Sequence, residues 1–350
     1  MQDRTPLQVV EQYASVVDAE MKELLSSYPD FEMYKMILYF MGFLDENLRP
    51  VKSYGGKRFR AGICMMLADF YGHAHDSLEA ATAIELFHNF TLIHDDVADR
   101  DEYRRGRETV WKKWGINQAL NTGDVLMMLV YAEVNKLTAV NPKVAEKVNV
   151  LMNKRFIEVV EGQHLDFSFS DLTLDDSRLS EEIVLDMLGR KSGVLVALPA
   201  EVAGVVSGVS EAELGNLQKY GYNLGVTYQL CDDIISVWGD KTETGKDNLA
   251  DIREKKKTWP ILHLYKNSTE DIRNELLGLY SKTTDLTITE IARVKELLDE
   301  SGAKSYVLAK AKETLGETEK AIAKLSLSEE QKQKLHDINT ALFPILSGGK

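Results

Sequence analysis

Leu92-Ile93-His94-Asp95-Asp96-Val97-Ala98-Asp99 closes a stretch that begins near Ser77 and carries apolar residues through Ala80–Phe90. Their three- and four-residue spacing is that of a helix. At about 100° per residue, Asp95 and Asp99 lie about 40° apart and share one face. Carboxylates one turn apart repel by roughly 0.2–0.5 kcal/mol on an exposed helix. A solvated acidic face tolerates that cost, and so does a cation-binding one; the segment alone leaves both open.

Outward from this helix the same periodicity recurs. Leu7, Val10, Ala14, Val17, Met21 and Leu24 form one stripe, and others run through Val125–Leu137, Val144–Val160, Ile183–Val206, Leu214–Val237 and Ile291–Leu325. Sustained period-two alternation is nearly absent, and there are only seven prolines. Loops are expected at Lys52–Lys57, Arg100–Arg107, Asp166–Ser180 and Gly239–Lys257, with Ser180 capping a helix that opens on Glu181 and Glu182. The expectation is one all-α domain over residues 1–350, a bundle of ten or more helices, with residues 1–28 as a packing helix at its edge.

The chain has 350 residues, 44% hydrophobic and 28% charged, enough to bury a core without metal or disulfide staples. Its net charge of −13 argues against a generic nucleic-acid or anionic-membrane binder. Two cysteines in apolar settings, Cys64 and Cys231, suit a reducing compartment. The start lacks a basic region followed by an apolar run, and the longest apolar stretch, Gly193 to Val206, is interrupted by Pro199 and Glu201. A soluble cytoplasmic protein is expected, with no stable membrane insertion.

A second acidic cluster lies in Tyr228-Gln229-Leu230-Cys231-Asp232-Asp233-Ile234-Ile235-Ser236. Gln229, Asp232 and Ser236 share a face that is polar where the helix should be greasy, and a carboxylate beside buried surface needs a partner or a metal. Around the two clusters stand Lys57, Arg60, Arg104, Arg105, Lys191, Lys246 and Lys255–Lys257. Singly, each reads as a solvated charge. Together, they offer what a diphosphate requires: hard carboxylates for Mg²⁺, which completes its shell with phosphate and water, and forked or point-like cations for the remaining oxygens.

These segments resemble the trans-isoprenyl diphosphate synthase (polyprenyl synthetase) family, in the family's order from about Lys52 to Pro260. The matching pieces are Gly-Gly-Lys-Arg at 55–58, Leu-Ile-His-Asp-Asp-x-x-Asp at 92–99, Arg-Arg-Gly at 104–106 and Gly123-Asp124. They continue with Glu161-Gly162-Gln163, Lys191-Ser192, Gln229-x-x-Asp232-Asp233, Gly239-Asp240, Gly245-Lys246, Asp251 and Lys256-x-Thr258-x-Pro260. The resemblance implies an all-α bundle around a central cavity, normally a homodimer. It implies that Asp95, Asp99 and Asp232 bind Mg²⁺, three ions in the full complex. Those ions would bridge an allylic diphosphate also held by Arg104, Lys191, Ser192, Gln229, Lys246 and Lys256. Isopentenyl diphosphate would be held by Lys57, Arg60, His88 and Arg105. Asp95, Asp99, Arg104, Lys191 and Asp232 would carry the chemistry, with Gln163, Asp166, Asp96 and Asp233 behind them.

Ser236 stands where the family usually has Asp, Ala61 replaces a frequent Pro, and Ser192 a frequent Thr. Phe90, five residues before Asp95 and without a motif insertion, resembles the chain-length position of archaeal-type geranylgeranyl synthases; a twenty-carbon product is expected, with fifteen carbons or a longer chain as alternatives. A class I terpene cyclase would show an Asn/Ser/Glu triad in place of Asp232-Asp233, and would have no use for Lys57 and Arg60. A His-Asp metallophosphohydrolase would leave the cations unexplained. The intact acidic motifs argue against a silent partner subunit.

Overall fold

The computed structural model describes residues 5–51, 56–239 and 249–347. They form an almost wholly helical chain whose strands, among the described residues, are the pair Tyr103–Arg104 and Arg107–Glu108. The all-α expectation holds. Two compact units are distinguished: Met1–Asn153 with Leu198–Leu217 and Ser326–Lys334, and Lys154–Ala197 with Gln218–Leu325 and Leu335–Lys350.

In the first unit the aspartate helix runs Leu78–Ala98 and buries Ala80, Ala81, Ala83, Ile84, Leu86, Phe87 and Ile93. A helix apolar nearly all round is a core helix, and its small residues let neighbours approach. The helices Phe59–Phe70 and Ile116–Val140 pack against it. The amino-terminal stripe is two helices rather than one. Pro6–Glu11 starts with a Thr5/Gln8 capping box and Pro at its first turn, and Ala14–Ser26 follows after a break at Gln12-Tyr13. Val10, Val17, Met21, Leu24 and Leu25 are buried, and each contributes about 1.5–3 kcal/mol of hydrophobic stabilisation.

In the second unit, Ser180 accepts a hydrogen bond from Ile183 N ahead of Glu181 and Glu182, the cap read from sequence. The expected loop at Asp166 is still helix, because Pro142–Ser170 continues to Ser170. Phe169 is buried, which ties the last turn to the core, and the hydroxyls of Ser168 and Ser170 bond back to the carbonyls of His164 and Asp166. The stripe Ile183–Val206 is interrupted by a π-helical turn at Gly189–Gly193, and Ile291–Leu325 divides at Gly302, whose φ of 76° favours glycine. No described helix is long and apolar enough to cross a membrane.

Candidate active site

Asp95 and Asp99 emerge at the carboxyl end of the Leu78–Ala98 helix, Asp95 partly exposed and Asp99 exposed. Asp96 turns inward, 1% exposed, and accepts a 2.6 Å hydrogen bond from Arg104 Nε. Burial pushes its carboxyl up to about 6, against the pull of Arg104. Arg104 comes from the segment expected to be a loop, which folds instead as a hairpin. Arg105 and Gly106 form its two-residue turn, with φ of 54° and 75°, the geometry of a type I′ turn. Strands two residues long leave no alternation to read. The turn holds Arg105 in a left-handed conformation that costs a non-glycine residue about 1–2 kcal/mol, and such strain often marks a working residue.

The Arg105 guanidinium lies against Gly56, where an added Cβ would meet it at 2.9 Å. Burial and the charge of Arg58 weaken its hold on its proton, partly offset by the charges of Glu85 and Asp96. Arg60 Nη1 and His88 Nε2 are 3.1 Å apart. A guanidinium only donates, so His88 accepts at Nε2 and carries its proton on Nδ1. That buried Nδ1 has no hydrogen-bond partner. Burial, Arg60 and Arg105 hold the imidazole neutral, far below its ordinary value. Lys57 Nζ is 3.5 Å from Glu11. This basic cluster with an orphan donor is chemically complementary to an anion. It sits about two helical turns below Asp95, roughly 10 Å along the axis.

Phe90 is half-buried, its ring 4.7 Å from that of His94 and 5.7 Å from Phe87. It lies about 140° around the helix from Asp95, whereas Thr91 lies about 40° away. Gly123 faces His94 so closely that a Cβ would come within 2.2 Å of Nε2, which explains the glycine of Gly123-Asp124.

In the second unit the helix Glu211–Trp238 presents Gln229, Asp232, Asp233 and Ser236. Asp232 is partly exposed. Asp233 is 5% exposed, accepting 3.3 Å hydrogen bonds from Gln229 Nε2 and from the backbone N–H of Trp259. Its carboxyl is pushed up to about 8 by burial, then by the charge of Asp251. Ser236 donates to the Asp233 carbonyl at 3.0 Å. Ser192 donates to Gln229 Oε1 at 3.0 Å, and Lys191 Nζ pairs with Asp166 Oδ2 at 2.5 Å. The π-helical turn carrying both residues is reached from two sides by glycines. A Cβ on Gly162 would lie 2.4 Å from Lys191 N, and one on Gly225 2.6 Å from Ser192 O. Sequence reading noted the Glu161-Gly162-Gln163 motif without this reason, since a π turn has no composition signal. Gln163 Nε2 is buried and unpartnered. Lys256 reaches Glu254 at 2.8 Å and Asp251 at 3.6 Å. Lys246, with Asp240 and Gly245, lies outside the described residues.

Hard carboxylate oxygens on Asp95, Asp99 and Asp232 are the donors Mg²⁺ prefers. Among the described residues no three His, Cys, Asp or Glu side chains converge as a metal cluster. Mg²⁺ commonly takes one or two protein carboxylates and fills its octahedron with phosphate and water.

Known proteins resemble this chain. A family profile described as polyprenyl synthetase matches residues 42–300. The (2E,6E)-farnesyl diphosphate synthase of Mycobacterium tuberculosis is 31% identical over 312 residues, 88% of this chain and 85% of its own length. The geranylgeranyl diphosphate synthase of Methanosarcina mazei is 31% identical over 295 residues, 84% of each. A crystal structure of a geranylgeranyl pyrophosphate synthase superposes with a TM-score of 0.85 at 30% identity, covering 96% of this chain and 98% of that one. The chain is an all-α prenyltransferase. It belongs to the polyprenyl synthetase family.

Proposed function

We propose that this chain condenses isopentenyl diphosphate with an allylic diphosphate (dimethylallyl, geranyl or farnesyl) in a Mg²⁺-dependent reaction. The product we propose is geranylgeranyl diphosphate; the alternatives are a farnesyl or longer polyprenyl diphosphate and, more remotely, the cyclised product of a class I terpene cyclase. The observation that carries the reading is the basic half-site of Lys57, Arg60, Arg105 and His88, which serves a second diphosphate and has no purpose in a cyclase.

Asp95, Asp99 and Asp232 would hold the metal, three ions in the full complex, on the allylic diphosphate. Bound Mg²⁺ supplies neutralisation of the charge that grows on the leaving diphosphate. Arg104, Lys191, Ser192, Gln229, Lys246 and Lys256 orient the same group, and cations fixed in advance stabilise the departing anion without reorganising. Asp166 fixes the Lys191 ammonium, and Asp96 fixes Arg104. The allylic C–O bond breaks, the double bond of isopentenyl diphosphate attacks the allylic carbon, and a proton leaves its C2 for the departed diphosphate. The chain grows by five carbons, and no protein nucleophile takes part.

Phe90, whose ring lies against those of Phe87 and His94, is the residue we assign to limiting tail length. We further propose that the two units act as one catalytic domain and that the enzyme is a homodimer. The exposed apolar flanks formed by Ile116, Leu120 and Met128, and by Ile157, Val160 and Phe167, support association. Incubation with Mg²⁺, isopentenyl diphosphate and each allylic primer, read by mass spectrometry, tests the reading. A C₂₀ diphosphate is expected. A cyclic hydrocarbon, or no elongation with any primer, would refute it.

A further inference from the structure

Arg58 lies between Lys57 and Arg60, yet it is 1% exposed and turned into the core. Its backbone, at a φ of 48°, is left-handed and leads directly into the helix Phe59–Phe70. Nε donates to Asp18 Oδ1 at 2.7 Å, Nη2 to the Met41 carbonyl at 2.8 Å, and Nη1 is 3.9 Å from Glu85. The Phe43 ring lies 5.3 Å from the guanidinium carbon. A buried cation persists only where the fold supplies its partners. One comes from the helix Ala14–Ser26 and another from the aspartate helix, one turn before His88.

The first helix presses on the same place. A Cβ on Gly62 would stand 2.7 Å from the Val10 carbonyl, so Pro6–Glu11 is seated against the helix that carries Arg60. Glu11, at the end of that helix, meets Lys57. Two amino-terminal helices thus supply one carboxylate to the residue that anchors the basic segment and another to a cation of the half-site itself.

We infer that the amino-terminal helices are a positioning element for the homoallylic diphosphate. Asp18 pins Arg58, which holds Lys57 and Arg60 in register. Glu11 occupies the Lys57 ammonium until a diphosphate displaces it. Arg58 and Asp18 are positioning residues, touching no substrate. The inference rests on assigning Lys57 and Arg60 to isopentenyl diphosphate. Its consequence is selective, because the leverage falls on one substrate and leaves the allylic groups Lys191, Gln229 and Asp232 alone.

The test uses the full chain and varies the two substrates independently. Asp18→Asn keeps the shape but removes the charge. It should raise KM for isopentenyl diphosphate about tenfold, the equivalent of weakening one charge-assisted hydrogen bond. The KM for the allylic diphosphate should stay within about twofold, and Asp18→Glu should recover part of the loss. Glu11→Gln, a change at a partly exposed site that endangers no fold, should lower KM for isopentenyl diphosphate about two- to threefold by removing a competing carboxylate. Equal rises of both KM values in Asp18→Asn, or an unchanged isopentenyl diphosphate KM in Glu11→Gln, would overturn the inference. Titration calorimetry with isopentenyl diphosphate alone separates this from the function itself. A wild-type chain without turnover refutes the synthase reading, whereas equal affinity of the wild-type, Asp18→Asn and Glu11→Gln chains for that ligand refutes only the positioning role.

Discussion

Replacing Gly162 by Ala sets two physical effects against each other. Within the helix Pro142–Ser170, alanine is favoured over glycine by about 1 kcal/mol. Against this, the new Cβ would stand 2.4 Å from Lys191 N and 2.8 Å from the Arg190 carbonyl carbon. Those atoms are backbone and cannot rotate away, so the π-helical turn must retreat by about 1 Å to restore contact distance. Overpacking of this kind costs about 1–3 kcal/mol, which leaves a net destabilisation of about 0–2 kcal/mol once the alanine propensity gain is subtracted. The larger consequence is for activity, because the same displacement carries Lys191 and Ser192. A misplacement of about 1 Å can cost up to about 100-fold in rate, so kcat should fall roughly 10- to 100-fold. Urea unfolding and steady-state kinetics at saturating substrates measure the two effects. Gly316→Ala serves as control: apart from its chain neighbours and its own helix backbone, no described atom lies within 4 Å of its Cβ position in the helix Ala303–Lys324. That variant should gain about 1 kcal/mol and keep full activity. If Gly162→Ala behaves like Gly316→Ala, the close approach does not govern the lysine.

Asp95→Ala should lower turnover by orders of magnitude while the helical circular dichroism signal is retained; near-normal rates would refute the metal assignment. Phe90→Ala should shift the product distribution to longer chains by mass spectrometry, and an unchanged spectrum would remove Phe90 from that role. Glu133, fully buried, shares Lys136 with Glu20 at 2.8 and 2.6 Å, and burial pushes its carboxyl up to about 8. The folded chain then keeps a proton that the unfolded chain releases near its ordinary value. Stability therefore falls as pH rises from about 5 to about 8, by at most ~1.4 kcal/mol per pH unit. Glu133→Gln removes the titrating group, so urea midpoints of variant and wild type should diverge with rising pH. Parallel pH profiles would contradict the burial argument.

The helical class and the aspartate, lysine and arginine motifs were legible in the sequence, because both are local properties. Three- and four-residue apolar spacing is enforced by helix geometry, and Ser180 with Glu181 and Glu182 announced a helix start wherever the chain went next. Other features depend on who meets whom. Arg58 reads as one more surface cation until Asp18, Met41 and Glu85 converge on it from distant parts of the chain. Gly162 and Gly225 are unremarkable letters until the Lys191 turn lies against them. The Arg105-Gly106 turn pairs strands too short to leave a pattern. Local spacing can state which groups a segment offers, but burial, partners and close approach arise only when remote segments exclude water together, and that was decided by tertiary packing.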